Sequence, residues 1–130
     1  MFNKHRGHSL TATNLRRYRS NMEVRPMGKE NWLINHPVQG TAAAIFKSTS
    51  NRLDKLYRRY EAQVIIPMHD AFVFEAPIES LCEVAELTER IMCETVREFF
   101  PELQPRIEVD ISDPTCWDQK GKLKSFLSKI

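Results

Sequence analysis

The sequence predicts an α+β domain, an antiparallel sheet with a hairpin packed on one face by two long helices. Three observations carry this. Two stretches repeat apolar residues at steps of three and four, the period of a one-sided helix. Between them lie two short β-branched and aromatic runs separated by His69-Asp70-Ala71, the pattern of a hairpin. After the second helical stretch, Ile107, Val109 and Ile111 alternate with Glu108 and Asp110, the period of a half-buried strand.

Each element has its own local cause. Asn35-His36-Pro37 reads as a helix start, a polar cap followed by a proline in the first turn, where its missing N–H costs nothing. Val38, Ala42, Ile45, Thr49, Leu53, Leu56 and Tyr60 then form the predicted buried stripe of a helix over residues 37–60. Residues 63–68 and 72–76 are the predicted hairpin strands, and Pro67 belongs where the ladder needs no donor. Ser80-Leu81-Cys82-Glu83 matches a capping box. It opens a helix whose stripe is Leu81, Val84, Leu87, Ile91, Thr95 and Phe99, stopped by Pro101. Asp113-Pro114 turns the chain, and Trp117 is expected to close over the core.

With 130 residues the chain can bury a real core. No apolar stretch reaches the length needed to span a bilayer, so neither a membrane nor a secretory route is expected, and the expected location is cytoplasmic. Cys82, Cys93 and Cys116 are an odd number without zinc-knuckle spacing, which suits reduced thiols used as small apolar filler.

Charge divides the chain into a basic segment 1–30, a central domain 31–119 and a tail 120–130. The first segment holds Lys4, Arg6, Arg16, Arg17, Arg19, Arg25 and Lys29 against Glu23 and Glu30, a local +5; with a total of +2, the remainder carries −3. An arginine-rich, acid-poor segment suits a polyanion such as nucleic acid. A solvated arm and an organelle transit peptide share that composition. The tail GKLKSFLSKI brings Leu123, Phe126, Leu127 and Ile130 to a possible amphipathic turn, able to dock on the domain, meet another subunit or fray.

His69 and Asp70 face opposite ways if the strand alternation continues through the bend, so different jobs are expected of them. A carboxylate at the exposed end of a sheet can hold a hard divalent cation such as magnesium, which prefers oxygen ligands. The bland alternative is a turn that uses a polar aspartate.

Residues 35–43 carry N-x-P-x-Q-G-T-A-A at the head of the first helix, one helix length before MHDAFVFEAP. This pairing, followed by a long helix, an apolar strand and Cys116-Trp117-Asp118-Gln119, resembles the C-terminal palm of family A DNA polymerases, the bacterial DNA polymerase I type. The resemblance runs from about Asn35 to Gln119. It implies that Asp70 is a catalytic aspartate that binds Mg2+, that His69 contacts the primer end, and that Asn35 and Gln39 hydrogen-bond DNA in the minor groove. That groove presents similar acceptors for every base pair, so amide side chains can test pair geometry without reading sequence. The implied partners are primer-template DNA and a deoxynucleoside triphosphate (dNTP).

Departures from the pattern are specific. Ala71 stands where the family usually has Glu, Ala44 where it has Asp, and Asn31 where it often has a DNA-contacting Arg. Two-metal catalysis places ions about 4 Å apart, and one aspartate cannot hold both. The family's second aspartate comes from an earlier strand, whereas the acids before Asp70 here are Glu23, Glu30, Asp54 and Glu61, none in an apolar strand. Glu75 and Asp110 are acids on or beside strands that could serve instead. Arg25 and Lys29 imitate the spacing of the nucleotide-gripping fingers helix without its aromatic residue or Tyr-Gly ending.

The expectation is therefore a palm fragment, inactive alone, that completes its site with a second polypeptide carrying fingers and the other aspartate. The competing readings are a non-catalytic nucleic-acid-binding module derived from such a palm, and a metal-dependent hydrolase using His69-Asp70.

Overall fold

The computed structural model describes residues 2–3, 8–12, 16–18, 31–113, 115–123 and 125. Among the basic residues of the first segment, Lys4, Arg6, Arg19, Arg25 and Lys29 lie outside these, as do Phe126, Leu127 and Ile130 of the tail, and the Trp117 side chain is not described. The chain falls into two compact units, residues 1–47 and 48–130.

In the first unit, strands β1 (Phe2–Asn3), β2 (His8–Leu10) and β3 (Arg16–Tyr18) form an antiparallel sheet in the order β1-β2-β3. A frayed arm therefore does not describe residues 2–3, 8–10 and 16–18: Ser9 pairs with both Phe2 and Arg17. These strands are too short to show a period of two in the sequence.

The first helix, α1 (Asn31–Tyr57), begins four residues before the predicted Asn35 start, so Pro37 lies inside it. A proline cannot donate to the carbonyl four residues back, so the ladder loses that one bond. Pro37's own carbonyl instead accepts the Thr41 hydroxyl at 2.5 Å. That hydroxyl also accepts the Ala12 N–H at 3.1 Å, tying the segment after β2 to the helix. Thr11 and Thr41 are both buried. Gly40 makes the approach possible, because a Cβ there would stand 2.6 Å from Thr11 Cγ2 and 3.3 Å from His36 Nε2.

This contact corrects the predicted stripe. Val38 is 71% exposed and Ala42 is exposed. Among the described side chains of α1 the buried ones are Thr41, Thr49, Leu53 and Tyr57, spaced by multiples of four. The predicted stripe includes Thr49 and Leu53 but passes over Thr41, whose hydroxyl finds partners and whose methyl group can pack.

In the second unit, α1 continues to Tyr57 and is followed by β4 (Gln63–Pro67), β5 (Phe72–Glu75), α2 (Leu81–Phe99), β6 (Asp110–Asp113) and β7 (Cys116–Lys122). Glu61 ends the helical turns with φ 53°, in the left-handed region, while the Ala62 N–H reaches back to the Tyr57 carbonyl at 3.0 Å. Leu53, Tyr57, Ala62 and Val84 form the core, with Leu56, Val64, Phe72, Phe74 and Ile91 packed against it. The hairpin thus rests on both helices. The Tyr57 and Phe74 rings stack at 5.0 Å between centroids.

The α+β class and the packing of the hairpin on two helices hold, while the described strands fall into three separate antiparallel sheets. β4 pairs with β5, with an irregularity between Val64 and Ile66. The predicted strand at 107–111 joins its ladder only from Asp110, and its partner is β7. Its burial still alternates, with Ile107, Val109 and Ile111 half-buried and Glu108 and Asp110 exposed.

The capping box at Ser80 does not form. Ser80 precedes α2 without a side-chain cap bond, its hydroxyl donating instead to the Pro77 carbonyl at 3.3 Å. Glu83, the residue that should reach back, accepts the Tyr60 hydroxyl at 2.7 Å. Arg52 and Glu98 join α1 to α2 through a two-pronged ion pair. The start of the tail docks: the Leu123 N–H donates to the Val109 carbonyl at 3.2 Å and the residue is buried.

Candidate functional site

The hairpin bend is short because the Met68 N–H donates to the Ala71 carbonyl at 2.8 Å, leaving His69 and Asp70 at the tip. Residues 68 to 71 are all exposed. A two-residue tip takes both side chains out of the strand alternation, so each points from the bend rather than from a sheet face. Pro67 is the last residue of β4 and opposes Phe72, so the missing donor falls at the strand end.

Asp70 and Ala71 line one side of a groove of about 160 Å³. Arg106, Glu108 and Asp110 line it as well, over apolar residues that include Phe72 and Met92. Sequence reasoning did not single out Arg106 or Glu108. The alternation at 107–111 is no signal for them, because Ile107 and Val109 line the groove as well as Glu108 and Asp110.

Of the two acids named as substitute ligands, Asp110 therefore lies in the groove of Asp70. Glu75 does not line it and instead accepts a hydrogen bond from Gln63, its cross-strand neighbour. Among the described residues, no three or more His, Cys, Asp or Glu side chains gather as a metal cage. Asp70 suits magnesium as one exposed carboxylate whose remaining coordination would come from water and phosphate oxygens, the usual way that ion is held.

In the first unit, Asn35 and Gln39 are four residues apart on α1, hence on one face, and both are exposed. Gly40-Thr41, next in the same motif, has a structural role through Thr11, Ala12 and Pro37. Arg16 and Arg17 in β3 are exposed.

Among the described residues, no helix is long and apolar enough to cross a membrane. Residues 2–119 match the model of DNA polymerase family A. The chain is 33% identical over 95 residues to DNA polymerase I of Deinococcus radiodurans, covering 70% of this chain and 10% of that protein. It is 30% identical over 115 residues to DNA polymerase I of Lactococcus lactis subsp. lactis, 87% of this chain and 12% of that protein. To the thermostable DNA polymerase I of Thermus aquaticus it is 33% identical over 93 residues, 68% of this chain and 11% of that protein. The chain thus spans about a tenth of the length of these relatives. With a match that runs through both compact units, the chain belongs to DNA polymerase family A.

Proposed function

We infer that this chain is the C-terminal palm part of a DNA-directed DNA polymerase, contributing a metal-binding aspartate and primer-terminus contacts to template-directed nucleotidyl transfer. The observation that carries the reading is Asp70, an exposed carboxylate at the tip of a two-residue bend, among the residues that line a groove. Magnesium bound there would supply Lewis-acid activation of a hydroxyl and neutralise phosphate charge.

Asp70 would hold that ion through its carboxylate oxygens. His69 can donate an N–H to the primer end. The amides of Asn35 and Gln39 donate to minor-groove acceptors, which are alike for all base pairs and so report pair shape rather than sequence. The exposed Arg16 and Arg17 suit phosphate contacts. Since one aspartate cannot hold two ions, catalysis needs a second polypeptide with the other aspartate and a fingers helix to grip the dNTP, and this chain alone is inactive.

A second reading is favoured by Ala71, which lines the groove where the family usually carries a glutamate. A palm without that carboxylate could serve as a non-catalytic nucleic-acid-binding module.

Primer-template binding measured with and without magnesium separates the two. Binding that strengthens with Mg2+ in the native chain and loses that response in Asp70→Ala supports the polymerase part; binding indifferent to both supports the module. Primer extension on mixing with a chain carrying fingers and the second aspartate, abolished by Asp70→Ala, completes the test.

A further inference from the structure

We propose that Lys120–Leu123, the residues just past the family match, form a clasp that sets the groove wall facing Asp70. The wall, residues 106–110, lies outside any strand until Asp110. What fastens it comes from beyond Gln119, where the match to the family ends.

The register of β6 with β7 is Asp110 with Lys122, Ile111 with Gly121, Ser112 with Lys120 and Asp113 with Cys116. Three of these four pairs use residues after Gln119; the fourth sits at the turn. The Leu123 N–H then extends the attachment to the Val109 carbonyl at 3.2 Å. Leu123 itself is 6% exposed, an apolar anchor at the end of a strand whose Lys120 and Lys122 are exposed.

Without these residues Asp110 to Ser112 lose their ladder partners and the Val109 carbonyl loses its donor. Unpaired backbone of this kind opens locally at little cost. The clasp is a positioning element: Leu123 acts on the groove through Val109 and Asp110, not by touching a ligand. That the groove takes a metal-bound primer end rests on the function proposed above; the mechanical role of the clasp does not.

The experiment compares the full chain with a truncation after Gln119, a truncation after Leu123, and the variants Leu123→Ala and Leu123→Met. Amide hydrogen exchange is read at 108–112 and in α2, and primer-template affinity is read with Mg2+. Truncation after Gln119 is expected to speed exchange at 108–112 by roughly tenfold or more with α2 still protected, as local opening predicts. Truncation after Leu123 leaves exchange native-like, Leu123→Ala falls between, and Leu123→Met restores protection. Primer-template affinity follows the same order.

Native-like protection at 108–112 without residues 120–130 overturns the clasp. So does equal loss of protection in α2, which would make the tail a global stabiliser; affinity unchanged while the wall exchanges freely counts instead against the groove as the primer-end site, the reading proposed above. If the full chain binds no primer-template, the polymerase reading fails, and the clasp is decided by exchange alone.

Discussion

The Tyr57 hydroxyl lies 3.0 Å from the Thr88 hydroxyl inside the core, and Thr88 passes its own proton to the Val84 carbonyl at 2.7 Å. Tyr57 is therefore the donor, and one chain of hydrogen bonds joins α1 to α2. Tyr57→Phe removes a donor but leaves Thr88 bonded to Val84, costing about 1 kcal/mol. Thr88→Val leaves the buried phenol without its acceptor and costs more, about 1–3 kcal/mol. Urea unfolding should rank the two in that order.

Burial also pushes the Tyr57 phenol up to about 12. An ionisation disfavoured by folding adds stability that is fully present below the ordinary tyrosine value of 10 and is lost as pH rises through the folded value. Unfolding midpoints of the native chain should fall between pH 10 and pH 12 by more than those of Tyr57→Phe.

Gly40→Ala would place a methyl group 2.6 Å from Thr11 Cγ2, a distance that forces movement. Overpacking of this kind costs about 1–3 kcal/mol. Thr11→Ser removes the colliding methyl group, so the double variant should recover much of the loss. Hydrogen exchange at Ala12, whose N–H donates to Thr41, is the direct measure.

Glu61 adopts a left-handed backbone, φ 53°, that disfavours any residue with a Cβ. Glu61→Gly should raise stability by roughly 0.5–1 kcal/mol, because relief of this strain exceeds glycine's entropic cost in the unfolded chain. A higher urea midpoint with an unchanged slope is the expected result.

Hydrogen bonding to Arg52 holds the Glu98 carboxyl below its ordinary range. A lowered carboxylate pKa gives stability present above the ordinary value of 4.5 and lost as pH falls through the folded one. Glu98→Gln should therefore be less stable than the native chain near neutral pH and match it in acid. The gap should also shrink at high salt, as it does for exposed ion pairs.

Gln39→Ala should weaken primer-template binding by roughly 2- to 10-fold, the worth of one hydrogen bond. The loss should be the same for every terminal base pair, since minor-groove acceptors do not distinguish them. A loss confined to one base pair would remove Gln39 from the role proposed for it.

Much of this protein was legible in its sequence because local rules decide local elements. The hairpin between residues 63 and 75 and the helix from Leu81 to Phe99 follow from residues close together in the chain, and the family resemblance from short motifs in a fixed order along it. Only tertiary structure decided where side chains went. Pro37 marks a helix start until the residues before it continue the helix, and Ser80-Glu83 is a capping box until Tyr60 claims the glutamate. Thr49 and Thr95 fall on the predicted stripes and are buried, but Thr41 and Thr88, which lie off them, are buried as well. The groove is the clearest case, since Asp70 and Asp110 are forty residues apart yet line it together, with β7 paired to the end of the 106–110 segment. Periodicity reports which face of an element is apolar; which partner that face meets depends on contacts between residues distant in sequence, and these have no local signature.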